Sequence, residues 1–188
     1  QDAIQPDAWS EAALMPYLGS YLSSAFQDEL DLPGGSKVVV QDVSRAGPRE
    51  GQWTRPDFIL VSLARLTFVP QHQLDVHTFE LKAEHGGCVQ AVHEALAQTR
   101  FSHFGHLVWH LPERSAAEAR LDDIEGQCGR HGIGLILMRD PLAARYEVRL
   151  GPLRHQTGAL DIDGFLVSRL SAENQRTLQT VLRSGSSS

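Results

Sequence analysis

Lysine is almost missing from this chain of 188 residues: of its 17 basic side chains only Lys37 and Lys82 are lysine, and the rest are arginine. Basic charge as a whole is in deficit, with 23 acidic side chains and a net charge of -6. That balance excludes a generally basic coat for nucleic acid, because nonspecific phosphate binding is mostly counterion release by Lys and Arg. Any contact with nucleic acid must then be local. Cysteine is nearly absent too, and Cys88 and Cys128 stand too far apart for a CxxC pair. Neither a disulfide framework nor a zinc knuckle is indicated, and both thiols are expected to be reduced, buried and inert. No apolar run approaches the roughly 18 to 20 residues that span a bilayer, and no basic, apolar, small-residue signal pattern opens the chain. A cytoplasmic protein is the expectation. No GxGxxG, GxxxxGK[ST] or nucleophile-elbow motif occurs, so nucleotide-binding and acyl-transfer enzymes lack support.

An apolar share of 41% is ordinary for a folded domain, and no Gly, Pro or Ser linker divides the chain. One domain over 1–183 is expected, with 184–188 a flexible Gly/Ser tail. Leu14, Leu18, Tyr21, Leu22, Ala25 and Phe26 recur at helical spacing and predict an amphipathic helix over 10–30, with Ser10 as its cap. Apolar and β-branched runs predict strands over 37–43, 56–63 and 76–83, separated by turns at Gly47-Pro48 and around Pro70, His72 and Gln73. Their short spacing implies antiparallel neighbours, since a parallel crossover needs a dozen or more residues. Helices over 89–102 and 115–130 then alternate with strands over 107–111 and 133–138. An edge strand over 146–150 and a closing helix over 165–182 follow. The order α-β-β-β-α-β-α-β predicts an α/β fold with helices flanking a mixed sheet.

Glu80 and Lys82 lie two residues apart on a predicted strand, so both project from one face of the sheet. Asp57 opens the preceding strand, where a small displacement in register brings its carboxylate beside Glu80. Two carboxylates held close repel unless a cation sits between them, and hard oxygen ligands suit magnesium or manganese. Glu80, between Phe79 and Leu81, is an acid in an apolar strand and must be compensated. A bound metal with Lys82 is one compensation; an internal salt bridge to Lys82 or Arg55 is the other.

Pro56-Asp57, followed after twenty-two residues by Glu80-Leu81-Lys82 on the next strand behind an amphipathic helix, resembles the PD-(D/E)XK superfamily of nucleases. The resemblance extends to about Pro141, and the segments His93-Glu94-Ala95-Leu96-Ala97-Gln98 and Gly132-Ile133-Gly134-Leu135-Ile136 look like a bacterial branch of it. It implies a restriction-endonuclease-like α-β-β-β-α-β core and a DNA substrate. It further implies Mg2+ or Mn2+ held by Asp57, Glu80 and the Leu81 carbonyl, with Lys82 orienting or helping to deprotonate the attacking water. Family members often add an acid from the first helix. Glu11, on the inner stripe with Leu14 and Leu18, fills that place, or is simply an N-terminal acid favoured by the helix dipole. Glu29 recurs on the same face. Glu94 and Gln98, one turn apart, would reach the site or the substrate backbone, although the Gln-xxx-Tyr signature of one subgroup is absent.

Arg45, Arg49, Arg55 and Arg65 surround the second strand and offer either a local basic lip for phosphates or a solvated rim paired with Asp42 and Glu50. Trp53 either stacks on a base or covers a core edge. His103, His106 and His110 are closely spaced, but the His106 and His110 pair, on one strand face, has no third ligand at reliable zinc-site spacing, so structural or surface roles are expected. Two functions from different classes result. One is a metal-dependent deoxyribonuclease; the other is a catalytically silent domain of the same fold that binds nucleic acid, a partner protein or a second copy of itself.

Overall fold

A computed structural model describes residues 9–47 and 55–184. Six strands form one sheet in chain order: β1 (Lys37–Asp42), β2 (Phe58–Ala64), β3 (Gln73–Lys82), β4 (Phe104–His110), β5 (Gly134–Asp140) and β6 (Arg145–Leu150). β1, β2 and β3 are antiparallel neighbours, β3, β4 and β5 are parallel, and β6 returns antiparallel on β5. The two parallel steps are those that carry a helix: α3 (Val89–Gln98) joins β3 to β4, and α4 (Leu121–His131) joins β4 to β5. The fold is therefore mixed α/β with helices on both sheet faces. Among the described residues no helix is long and apolar enough to cross a membrane.

The first expected helix is two. Ser10 caps α1 (Glu11–Leu22) as read, its hydroxyl accepting from the Ala13 amide at 3.2 Å. Ser23 and Ser24 then break the run, Ser24 lying outside helical geometry at φ -136°, ψ -97°, and a short α2 (Ala25–Glu29) follows. The break turns Phe26 back onto the sheet. Leu14, Leu18, Leu22 and Phe26 pack on Phe58, Leu60, Phe79, Leu81, Val108 and Ile136, closing one face. On the opposite face α3 and α4 cover β4 and β5 around Trp109. The C-terminal helices cover β1 and β2 around Ile59, Val61 and Phe165. β2 is buried along its whole length, as its unbroken apolar run implied.

Several expectations are corrected. The closing helix is a pair, α5 (Ala159–Arg169) and α6 (Ala172–Ser184), broken where Leu170 turns extended at ψ 141°. Ser184 thus belongs to a helix; 185–188 lie outside the described residues, as do Pro48, Arg49, Glu50 and Trp53. The segment read as a helix over 115–130 begins as a 3-10 turn (Ala116–Arg120) before α4, and α3 stops at Gln98 rather than continuing to 102. Gly132 ends α4 in left-handed conformation at φ 68°, the geometry a glycine tolerates best. Cys128 is buried as expected, but Cys88, preceding α3, is exposed.

Candidate functional site

Alternation along β3 sends His77, Phe79 and Leu81 toward α1 and α2, and Thr78, Glu80 and Lys82 to the other face, where α3 lies. The register of Asp57 is set by backbone. Its amide donates to the Phe79 carbonyl at 2.9 Å and its carbonyl accepts from Val43 at 2.9 Å, so it extends the ladder one residue ahead of β2. Its carboxylate Oδ2 accepts the Leu81 N–H at 2.7 Å. The Asp57 carboxylate is thereby held over β3, between the residues that carry Glu80 and Lys82.

Lys82 Nζ lies 3.0 Å from Glu80 Oε1 and 2.5 Å from Glu94 Oε2, bridging strand and helix. Gln98 Nε2 donates to the other Glu80 oxygen at 2.5 Å. The helical spacing of Glu94 and Gln98 aims both at β3. Glu80 is only 8% exposed and Gln98 1%. The internal salt bridge to Lys82 is therefore formed, and among the described residues Gln98 Oε1 is left buried without a partner.

Burial pushes the Glu80 carboxyl up, the Asp57 charge adds to this, and Lys82 and Gln98 oppose it. Burial likewise raises Asp57, helped by the charges of Glu11 and Asp42 and opposed by the Leu81 N–H and Lys82. Burial works against the Lys82 charge, yet Glu80 and Glu94 hold its pKa above the ordinary lysine value. These directions conflict, since a Glu80 that gives up its charge cannot hold a proton on Lys82. Geometry decides in favour of a charged Lys82, which keeps Glu94 as a carboxylate partner whichever form Glu80 takes, while Glu80 carries its charge only above the ordinary carboxyl range. The strain then lies in the repulsion between Asp57 and Glu80, with one ammonium against several carboxylates.

Glu11 is exposed at the start of α1, one turn ahead of the buried Leu14. Its Oε1 nevertheless lies 3.5 Å from where a side chain on Gly86 would begin, a point 3.6 Å from Lys82 Cβ, so it borders the site across a glycine. Glu29 is remote, accepting from the Tyr21 hydroxyl at 3.3 Å. Arg55 Nη2 donates to the Gly47 carbonyl at 2.6 Å, and its own carbonyl is 3.5 Å from Gln98 Nε2. Arg45 is exposed beyond the end of β1 that pairs with the start of β2. Arg65 is corrected: it follows the far end of β2, roughly 26 Å along the strand from Asp57, and cannot share a lip with Arg45.

Asp42, expected only as a surface partner of the arginine rim, ends β1 opposite Phe58 and adds its charge to the field on Asp57. Arg169, from α5, lies against the 44–47 loop and donates to the Ala46 carbonyl, its guanidinium lowered by burial and by Arg55. Nothing local marks Arg169, which is separated from that loop by more than a hundred residues. His106 pairs with His77 and His110 meets Trp9 edge-on.

Among the described residues no group of three or more His, Cys, Asp or Glu side chains is arranged to hold a metal. The donor set that does exist, Asp57 and Glu80, fits a hard cation that keeps most of its water, as magnesium does with one or two carboxylates. It does not fit zinc. Comparison with models of known protein families and with curated proteins finds no match for this chain.

Proposed function

We propose that this chain is a divalent-metal-dependent nuclease of the PD-(D/E)XK type that hydrolyses phosphodiester bonds in nucleic acid, most naturally DNA. The observation that carries the reading is the convergence of Asp57, Glu80 and Lys82 on adjacent strands, where the charge of a half-buried Asp57 raises a buried Glu80 beside a single ammonium. Mg2+ or Mn2+ held by the Asp57 and Glu80 carboxylates, with the Leu81 carbonyl, would supply an acidified water and neutralise charge on the phosphate. Gln98 fixes the Glu80 carboxylate, and the Leu81 N–H fixes that of Asp57. Lys82, clamped by Glu80 and Glu94, presents a preorganised positive charge to the attacking water and the developing oxyanion. Glu11 borders the same space, and Arg45 and Arg55 stand at the Asp57 end of the sheet to meet the substrate backbone.

A second reading has its own support. The Lys82 clamp and the Gln98 bond satisfy Glu80 internally, as in a silent domain that binds nucleic acid, a partner protein or a second copy. Incubation of purified protein with linear and circular DNA and with RNA, plus Mg2+ or Mn2+, separates the two. Cleavage that disappears in Glu80→Ala and Lys82→Ala supports the nuclease. Cleavage unchanged in both variants, or none by the wild type on any substrate, refutes it.

A further inference from the structure

On the face of the sheet away from the acidic site, a cavity of about 380 Å³ opens beneath α2. This lies within the roughly 300 to 1,000 Å³ typical of small-molecule sites. Phe26, Leu30, Phe104 and Ile136 contribute apolar wall, and His77 and His106 contribute polar groups from adjacent strands. Those two imidazoles are 5% and 3% exposed, and His77 Nδ1 lies 2.9 Å from His106 Nε2.

That contact has a chemical consequence. Two neutral imidazoles sharing one hydrogen bond each have one nitrogen left, and proton conservation makes these two complementary. If His77 donates, its remaining nitrogen is an acceptor and His106 keeps an N–H. If His106 donates, the roles exchange. Either way the pair presents one donor and one acceptor. Among the described residues neither remaining nitrogen has a protein partner. Gly134 matters here: a side chain on it would begin 2.8 Å from His106 Nδ1, so only glycine leaves that nitrogen room.

The surroundings choose the ligand class. The His77 ring stacks on Phe104 with centroids 4.6 Å apart, and Phe26 meets His77 and His106 edge-on, so the polar edges sit among flat aromatic surfaces. The charged groups lining the cavity are Glu29 and Asp75, and the nearby Arg154 is paired with Asp75 at 2.6 Å. Burial holds His77 at about 4 and His106 well below its ordinary value, so neither offers positive charge at neutral pH. Among the described residues an anion would meet two carboxylates and no unpaired cation. A purely aliphatic ligand would leave both nitrogens unsatisfied.

We infer that the cavity beneath α2 binds a small, uncharged, planar nitrogen heterocycle of nucleobase size, which reads the donor and acceptor of the His77–His106 pair between Phe26 and Phe104. The site stands apart from the nuclease reading and does not depend on it.

The test is an NMR titration of the full chain, following the imidazole ring nitrogens, with adenine, 5′-AMP and toluene as separate probes at millimolar concentration. Adenine is expected to shift His77 and His106 saturably, with AMP bound about tenfold more weakly because of its phosphate. His77→Phe, which keeps the stack on Phe104, is expected to weaken adenine by about tenfold. Val148→Trp, at a half-exposed wall residue, is expected to block the cavity, and thermal unfolding confirms that each variant folds. Should His77→Phe not fold, Val148→Trp alone decides the location. No saturable shift with adenine overturns the site. AMP binding as well as adenine overturns the uncharged class, and toluene competing equally with adenine overturns the role of the histidine pair.

Discussion

Replacing Glu80 with glutamine should stabilise the metal-free protein while abolishing cleavage. Glu80 is 8% exposed and raised above its ordinary carboxyl value by burial and by Asp57, so its ionised form is costly in the folded state. A carboxyl raised on folding binds its proton more tightly in the native state, so the stability it contributes is lost as pH rises from the unfolded value of 4.5 toward the folded one. Glutamine removes that loss. Lys82 is not orphaned by the change, because Glu94 remains 2.5 Å away. Gln98 can rotate its unpartnered Oε1 toward the new amide. Breaking a buried pair by removing one partner usually costs stability, but here the repulsion relieved should exceed the attraction lost, for a net gain of roughly 1 to 2 kcal/mol at pH 8 that shrinks to near zero at pH 5. Urea denaturation in chelator at both pH values measures this. Adding Mn2+ should then stabilise the wild type, by about 2.7 kcal/mol at a hundredfold excess over Kd, and leave Glu80→Gln nearly unmoved. A variant less stable than wild type at pH 8, or a difference independent of pH, would refute the charge-repulsion argument.

Lys82→Met should behave in the opposite sense, leaving Glu80 and Glu94 without their shared cation and costing on the order of 3 kcal/mol in the same denaturation experiment, together with any nuclease activity. Acid should weaken the fold through His77 and His106, which are held neutral by burial: the unfolded chain takes up protons below about 6.5 and the native state does not until about 4 for His77. Stability measured by urea melts should therefore fall across that window, and more gently in His77→Phe. Gly87→Ala places a methyl 2.1 Å from the Trp109 ring and should lower stability by roughly 1 to 3 kcal/mol by thermal unfolding. A thiol reagent should modify Cys88 alone in the native protein, since Cys128 is buried and pushed up to about 12; two fast-reacting thiols would contradict that placement.

Local pattern was enough for much of this protein. The period-two run of β3 put Glu80 and Lys82 on one face, the unbroken apolar run of β2 declared it buried on both, and the i, i+4 spacing of Glu94 and Gln98 gave them a common direction, because each depends only on backbone geometry within one element. Spacing between elements also told which strands had to be antiparallel. What no local pattern carried was the relation between elements. The backbone bond of Asp57 to Phe79, the bond of the Leu81 N–H to its carboxylate, the Lys82 clamp, and the place of Glu11 across Gly86 arise only when separate segments pack. The breaks at Ser24 and Leu170 have the same origin: helical periodicity continued through both, and packing between elements overrode it. Arg65 was misplaced for that reason, since adjacency in sequence is converted by an extended strand into distance. The acids and the lysine of the candidate site were thus legible as residues, whereas their mutual repulsion is a property of the tertiary structure, because only packing removes the water that would otherwise screen it.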